Sequence, residues 1–248
     1  MRFKLAVIVT ALMLISVLTI PAKAFDIRNG GLAVGISGNF SKFKTKGSET
    51  EGNSSNTNGE VETSDIATVS KEIDFASLFA EYNIRGDDLF DGWIGLTIGL
   101  EWIPGESTLG ARSRSDTAGT FAGPGEETAT YKAEAELSDH MSLYVEPTFY
   151  AGDYLGVYGK AGVSRVNVRT LEQIAAGTDS SAYEDKDVWG QMFGLGIRAT
   201  SIIGAFIKLE YSVTDYGDLT FVSTSGNKNT ITATPDQNSM RMMLGWMF

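Results

Sequence analysis

The chain ends with the stretch MRMMLGWMF, residues 240–248, in which a bulky apolar side chain recurs at every second position. The alternating apolar residues are Met240, Met242, Leu244, Trp246 and Phe248. A period of two indicates a β-strand whose two faces meet different surroundings. Chain ends are usually frayed, so alternation that persists to the last residue predicts a terminal strand held within a sheet.

Seven further segments alternate in the same way, and helical periodicity is absent after residue 24. Eight strands are therefore predicted, near residues 30–43, 69–83, 92–104, 130–150, 156–170, 187–200, 204–216 and 238–248. The fourth is the longest and is predicted to bend or bulge around Ser138, Asp139 and His140.

The connections between the predicted strands alternate between short and long. Short connections lie near residues 83–92, 151–155 and 201–203, and long ones at 44–68, 105–129, 171–186 and 217–237. Barrels with short periplasmic turns and long outer loops show this pattern, and an even strand count places both termini on the periplasmic side. Residues 44–64 contain few apolar side chains, which predicts a mobile hydrophilic rim; a specific binding loop is the alternative.

The first 24 residues have the pattern of a secretory signal peptide. Arg2 and Lys4 precede an apolar run over residues 5–20, and the small residues Ala22 and Ala24 follow it. Cleavage there would give a mature chain that starts at Phe25, so the predicted organisation is a signal peptide over 1–24 and a barrel over 25–248. The alternative is an uncleaved anchor, because the run is close to the ~18 residues of a spanning helix.

The charge balance argues strongly against nucleic acid as a partner. Loss of residues 1–24 would remove three of the 20 basic residues and none of the 31 acidic ones, and the net charge would fall from −11 to −14. Binding to nucleic acid phosphates requires basic patches. The chain also has no cysteine, so its stability must come from its core or its membrane rather than from disulfides.

The face opposite the apolar one decides between a membrane barrel and a soluble β-sandwich. It carries charges of both signs and many glycines, namely Gly35, Gly95, Gly99, Gly162, Gly190, Gly194, Gly196 and Gly245. Glycine weakens strands, but in a narrow barrel it makes room for long side chains from opposite strands. The predicted fold class is therefore all-β, an eight-stranded antiparallel up-and-down transmembrane β-barrel.

The lumen of this barrel is predicted to hold paired charges. Side chains can fill the interior of an eight-stranded barrel, and an unpaired charge there would be costly. The predicted lumen charges are Glu101, Glu134, Glu136, Lys208, Glu210 and Arg241, with Glu146, Lys160 and Arg198 on the same face.

The N-terminal segment, the eight alternating strands and the terminal zigzag ending in Phe248 together resemble the small outer-membrane β-barrel family. This family includes the membrane domain of outer membrane protein A, the opacity-type adhesins and the outer membrane protein W type. The resemblance is architectural and covers nearly all of residues 25–248. It implies that the barrel-assembly machinery reads the last strand, with Met242, Leu244, Trp246 and Phe248 as the assembly signal on the face that meets lipid.

The predicted function is non-enzymatic: an integral outer-membrane barrel with a structural or surface role, in envelope integrity or adhesion, and at most a narrow pore. The first alternative is a small porin or a conduit for small or apolar solutes. The second is a lipid A-modifying enzyme, because His140 and Ser142 resemble the His-x-Ser pair of outer-membrane lipid A deacylases. Such a site would need an orienting carboxylate, such as Glu136 or Glu146, and an opening toward lipid. The strand period instead directs His140 and Ser142 to the lumen.

No cofactor or metal site is predicted, because a chain with one histidine and no cysteine offers few transition-metal ligands. Asp185 and Asp187 alternate near an outer strand end, where they suit a loop, a weak catalytic pair or divalent ions that bridge lipopolysaccharide. The expected partners are outer-membrane lipid and lipopolysaccharide, the barrel-assembly machinery, and surface ligands of a host or the environment. The expected location is the cell outer membrane, reached by export with the signal peptide.

Overall fold

The computed structural model describes residues 30–50, 66–85, 92–116, 129–174, 183–224 and 230–248. The predicted signal peptide and the predicted mature N-terminus lie outside these ranges. Within them the chain forms the strands Gly30–Thr50 (β1), Ala67–Arg85 (β2), Ile94–Ile103 (β3), Ser107–Asp116 (β4), Ala129–Ala151 (β5), Leu155–Ile174 (β6), Lys186–Thr200 (β7), Ala205–Asp215 (β8), Leu219–Val222 (β9) and Thr230–Met247 (β10). None of the described residues belongs to a helix long and apolar enough to span a membrane.

The sheet closes into a barrel whose wall is eight strands around. The strands β1, β2, β3, β5, β6, β7, β8 and β10 follow one another around the wall, each antiparallel to its neighbours, and β10 pairs back onto β1. β4 continues the wall position of β3 by pairing with β5, and β9 continues that of β8 by pairing with β10. This closure confirms the predicted fold class and leaves no sheet edge at the level of the closed wall.

The C-terminal strand closes the barrel as its alternation predicts. β10 pairs with β1 from Ala33 opposite Met247 up to Thr50 opposite Thr230. The backbone N–H of Phe248 donates a hydrogen bond of 2.8 Å to the carbonyl oxygen of Leu32. The last residue is therefore tied to the first described strand by the backbone itself.

An apolar band surrounds the outside of the barrel. It consists of the alternate, outward-facing side chains of residues 32–40, 78–84, 94–102, 141–149, 155–163, 189–197, 205–213 and 240–246. Most of these stretches are nine residues long, which matches the ~9–11 residues that a tilted strand needs to cross a bilayer. Large apolar side chains such as Phe40, Leu195 and Met240 are more than half exposed in this band, which is unfavourable in water and favourable in lipid.

A β-bulge interrupts the longest strand at the predicted place. The register of β5 on β6 shifts between Ser138 and Met141, and Asp139 has a φ of 51°. The extra residue reverses which parity faces inward. Below the bulge the even-numbered residues of β5 point to the lumen, whereas above it Leu137 packs inward.

Parts of the long connections, predicted to be loops, are instead strand. Antiparallel pairing continues beyond the apolar band to Thr50 in β1, and β4, β9 and the start of β10 lie in two other predicted loops. The outer faces of these strand extensions meet water rather than lipid, so apolar and polar residues alternate less clearly there than in the apolar band. The hydrophilic rim predicted over 44–64 is ordered strand up to residue 50, and residues 51–64 lie outside the described ranges.

These extensions form a separate unit, here called the head, made of two facing sheets. The first sheet comprises the outer ends of β1, β2 and β10 together with β9, and the second comprises β4 with the outer ends of β5, β6 and β7. Between the sheets lies an apolar core of Phe43, Ile73, Val166, Val168, Tyr183, Val188, Tyr216 and Phe221. The head is thus a small β-sandwich set on the loop end of the barrel.

The two sheets of the head meet at two seams that lack a hydrogen-bonded ladder. The β2–β3 ladder ends at Leu78 opposite Trp102, and the β7–β8 ladder ends at Gln191 opposite Asp215. One lysine bridges each seam: Lys71 of β2 donates to the carbonyl of Thr108 in β4, and Lys186 of β7 donates to the carbonyl of Thr220 in β9.

Candidate functional site: the charged lumen

Glycines in the wall make space for aromatic rings inside the barrel. In the described strands six glycines stand directly opposite an aromatic residue on a neighbouring strand. Four of these pairs are especially close, namely Gly35 with Phe79, Gly99 with Tyr144, Gly196 with Tyr158, and Gly245 with Phe206. A Cβ added to any of the four would lie only 2.3–2.4 Å from ring atoms of its partner. The rings therefore lie across the glycines of an adjacent strand, whereas the sequence predicted that the glycines make room for side chains from opposite strands.

The aromatic rings in turn support buried cations. The Lys160 Nζ lies 3.7 Å from the centroid of the Tyr144 ring, and the guanidinium carbon of Arg198 lies 4.1 Å from the centroid of Phe206. Ring faces carry partial negative charge and attract cations at these distances. The glycine–aromatic pairs thus help to set the positions of the lumen charges.

Eight buried charges form one alternating chain across the lumen, here called the ion chain. In contact order its members are Arg198, Glu81, Lys208, Glu146, Lys160, Glu210, Arg241 and Glu101. The Lys208 Nζ is 2.5 Å from Glu146 Oε2, and the Lys160 Nζ is 3.2 Å from Glu210 Oε2. Lys208 also pairs closely with Glu81, as does Arg241 with Glu101. Looser contacts of 3.7–3.9 Å complete the chain.

The ion chain is neutral and almost completely shielded from solvent. It contains four carboxylates and four cations, and each of the eight residues is at most 4% exposed. Tyrosine hydroxyls add to it: Tyr144 donates to Glu81 at 2.9 Å and Tyr158 to Glu210 at 3.1 Å. Buried charges persist only when they are paired and hydrogen-bonded, so balanced neutrality explains how the barrel tolerates eight of them.

Four of the six predicted lumen charges lie in the ion chain: Glu101, Lys208, Glu210 and Arg241. The other three residues noted on that face, Glu146, Lys160 and Arg198, belong to it as well.

Glu136 is placed elsewhere than predicted. It pairs with Arg169, its register partner on β6, at 3.6 Å on the outer wall of the head. The cause is the bulge at Asp139, which reverses the inward parity above it. Glu134 lies in β5, but its side chain falls outside the described part of the structure.

One member of the ion chain, Glu81, was missed by the sequence prediction. It lies on β2, where the bulky residue Phe79 shares the inward face and obscures the apolar–polar alternation. The available signal was the outward series Leu78, Ala80 and Tyr82, which places odd-numbered residues of β2 inside.

A polar belt separates the ion chain from the apolar core of the head. His140 Nε2 lies 2.5 Å from the Ser164 hydroxyl, which is 2.8 Å from that of Ser142. Tyr216 donates to Gln237 at 3.1 Å and Gln237 donates to Ser41 at 3.1 Å, continuing the belt around the lumen.

His140 and Ser142 are therefore directed inward, away from the apolar band. Neither proposed carboxylate orients His140, because Glu136 lies outside the barrel and Glu146 is held by Lys208 and Lys160. Among the described residues, no group of three or more histidine or acidic side chains is placed to hold a metal ion.

Asp185 and Asp187 lie on the outer wall of the head, each beside an arginine of β6. The Asp187 Oδ2 is 2.6 Å from Arg165, and Asp185 Oδ2 is 3.5 Å from Arg169. Hydrogen bonds from Arg165 and then Asn167 hold the pKa of Asp187 below its ordinary value. Both carboxylates are thus engaged in ion pairs.

The proposed assembly signal occupies the lipid-facing side of β10. Met242, Leu244 and Trp246 are each between 43% and 49% exposed within the apolar band, whereas Phe248 is partly covered. Recognition by assembly machinery stays a prediction.

The fold and the family agree. A family model described as the outer membrane protein beta-barrel domain matches residues 10–248. The chain belongs to the outer membrane β-barrel protein family. Its place is accordingly the outer membrane, and the apolar band is the surface that meets lipid.

Several solved structures of outer membrane proteins are similar to this chain at low identity. Outer membrane protein AlkL, solved in lipid bilayers, is 16% identical with a TM-score of 0.45, and 93% of this chain and 95% of that one are covered. OprG from Pseudomonas aeruginosa is 14% identical with a TM-score of 0.45, and 90% of this chain and 99% of that one are covered. Neisserial surface protein A is 10% identical with a TM-score of 0.41, and 88% of this chain and 97% of that one are covered. No curated protein matches the chain.

Proposed function

We propose that this outer membrane barrel is a closed, non-enzymatic envelope protein that presents its head at the cell surface. The ion chain is the observation that carries the proposal. Its eight side chains and the rings beneath them occupy the lumen at the level of the apolar band. An ion entering would have to displace charges that are already paired with charges of opposite sign.

The structure has further features of a static barrel. Apolar residues close the lumen toward the short turns, where Phe79, Phe206, Met243 and Met247 pack together. Arg85 ties two of these turns, donating to the carbonyls of Gly92, Gly152 and Asp153 at 2.9 Å. A surface role in envelope integrity or adhesion, through the head and its loops, suits such a barrel.

Conductance across a planar lipid bilayer tests the closed lumen. The wild-type chain is expected to give no steady conductance above leak. The charge-neutral double variant Lys208→Ala/Glu146→Ala, which removes the middle of the ion chain, is expected to conduct. The double variant Arg165→Ala/Asp187→Ala removes an equally neutral pair outside the lumen and serves as the control. Steady conductance steps from the wild-type protein would contradict the proposal.

A conduit for apolar solutes is the second candidate, favoured by one specific observation. The core of the head contains a cluster of eight buried apolar and tyrosine side chains, and it lies directly above the polar belt. A solute that entered between the two sheets would have to leave sideways into lipid, because the ion chain lies below. Cells that carry the chain should then take up radiolabelled octane faster than cells without it, while bilayer conductance stays absent. Equal octane uptake by the two kinds of cell would exclude this candidate.

A lipid A-modifying activity has the weakest support. The inward direction of His140 and Ser142 weighs against it. In the described residues the hydrogen-bond partners of His140 are the hydroxyls of Ser164 and Tyr216, and no carboxylate is hydrogen-bonded to it. Comparison of lipid A masses from cells with and without the chain tests it, and a mass difference that His140→Ala abolishes would revive it.

A further inference from the structure

Three lysines form a column on the outer face of β1, immediately above the apolar band. Lys42, Lys44 and Lys46 alternate along the strand, and all three are exposed. They continue the series of outward residues that ends in Phe40, whose side chain is 61% exposed in the band. We call these three residues the lysine column.

The lower end of the column lies at the height of the head-group layer of the outer leaflet. Strands rise about 3.3 Å per residue and tilt by about 35–45° in such barrels. Lys42, Lys44 and Lys46 therefore lie about 5, 10 and 15 Å above the level of Phe40, whereas the polar layer on each side of a bilayer is about 5–8 Å thick. The long, flexible lysine side chains bring the ammonium groups of Lys42 and Lys44 to this layer, whereas Lys46 lies above it.

The column differs from the other cations on the outer wall in its lack of partners. Arg165 and Arg169 on the opposite side are engaged by Asp187, Asp185 and Glu136. In the described residues the lysine column makes no ion pair. Glu72 stands beside Lys42 and Asp236 beside Lys44 in the strand register, yet neither carboxylate reaches a lysine.

We propose that the lysine column binds the phosphate groups of the phosphorylated glycolipid in the outer leaflet. The site adjoins the lipid-facing band directly, and its charge is opposite to that of the lipid. Lysine ammonium groups bind phosphates as compact point charges, which needs no fixed geometry. The inference requires placement in the outer membrane and does not depend on whether the lumen conducts.

Binding of lipid A to the full chain in detergent micelles, followed by native mass spectrometry, tests the inference. Wild-type protein is compared with the triple variants Lys42→Gln/Lys44→Gln/Lys46→Gln and Lys42→Arg/Lys44→Arg/Lys46→Arg. At the usual contribution of a lysine near an anionic lipid surface, loss of the two lysines that reach the head groups should weaken binding by roughly 30-fold in the glutamine variant. The arginine variant should bind within about threefold of wild type, because it keeps the charges.

Three controls make the result decisive. The double variant Arg165→Gln/Arg169→Gln, on the opposite wall, should bind lipid A as wild type does. Lipid A with its phosphates removed should bind wild type and the glutamine variant alike. Heat-dependent gel mobility should show that every variant is folded. Equal binding of lipid A by wild type and the glutamine variant would overturn the inference. Full competition by millimolar inorganic phosphate would overturn the assignment to a lipid.

Discussion

At the residue scale, the interior of this barrel depends on pairs of unequal size. A glycine on one strand faces an aromatic ring on the next, and the ring supports a cation of the ion chain. Gly99 illustrates the arrangement, since the Tyr144 ring lies across it and the Lys160 Nζ lies on that ring. A glycine that is costly in an isolated strand is thus required by the side chain opposite it.

The substitution Gly99→Ala should destabilise the barrel, because the new Cβ would lie 2.3 Å from ring atoms of Tyr144. Overpacking of this kind costs about 1–3 kcal/mol. Gly38→Ala is the matched control: it lies on the same sheet with no atom within 4 Å of the added Cβ, and should be neutral or slightly stabilising. Urea unfolding of the two variants in detergent micelles measures the difference. Equal stabilities would refute the close packing of ring on glycine.

The pair of Arg241 and Glu101 allows the energetics of the ion chain to be measured. Arg241→Ala leaves Glu101 without its cation in a buried site, which should cost about 3–5 kcal/mol. The double variant Arg241→Met/Glu101→Leu removes both charges and should recover most of that loss, since an apolar pair of similar volume is tolerated. Unfolding free energies from urea titrations provide the test. A double variant less stable than Arg241→Ala would show that the two charges do not act as a pair.

At the element scale, the two faces of β10 have different roles. Its inward face contributes Arg241 to the ion chain, and its outward face contributes Met242, Leu244 and Trp246 to the apolar band. The strand also closes the barrel against β1. Loss of the whole strand is therefore expected to prevent closure, and the family resemblance predicts that loss of its end impairs assembly.

Deletion of Phe248 should reduce insertion into the outer membrane and leave aggregates in the periplasm. The deletion should change the stability of the folded barrel little, because β10 ends at Met247 and only the backbone hydrogen bond from Phe248 to Leu32 is removed. Refolding of the truncated chain into detergent should accordingly remain efficient. Fractionation of cells and refolding yield in vitro distinguish the two effects. A truncated protein that reaches the outer membrane in normal amounts would contradict the assembly role.

At the scale of the whole molecule, the chain consists of a rigid barrel and a less tightly joined head. Hydrogen-bonded ladders surround the barrel without a break, whereas the head is two sheets that touch through an apolar core and two lysine bridges. Regions with few backbone cross-links open locally at low free-energy cost. The seams are consequently the places where this molecule is expected to move.

Replacement of both seam lysines, Lys71→Met with Lys186→Met, should loosen the head and leave the barrel unchanged. Each side-chain hydrogen bond contributes about 0.5–1.5 kcal/mol, so amide exchange in residues 67–75 and 219–222 should accelerate several-fold. Lys42→Met, on the outer face of the head, should not alter exchange. Hydrogen–deuterium exchange with mass spectrometry resolves the two regions. Acceleration spread evenly over barrel and head would show that they form one cooperative unit.

The wall of the barrel could be predicted from the sequence alone. The period of two is local, and the membrane enforces it by requiring an apolar side chain at every outward position, so the strands in the band, their parity and the closing role of residues 240–248 could be deduced. The head was missed because its strands meet water on their outer face, where no such requirement acts. The position of Glu136 could be known only from the tertiary structure, because one extra residue at the bulge near Asp139 reverses which residues of β5 face inward beyond it.

The buried charges of the lumen were also predictable only in part from the sequence. That Glu101, Lys208, Glu210 and Arg241 face inward follows from alternation along single strands. Which of them meet is a property of the closed sheet, because partners such as Arg241 and Glu101 are 140 residues apart in sequence. Closure, tilt and stagger between strands bring them to one height, and only the tertiary structure shows eight charges joined into a neutral chain.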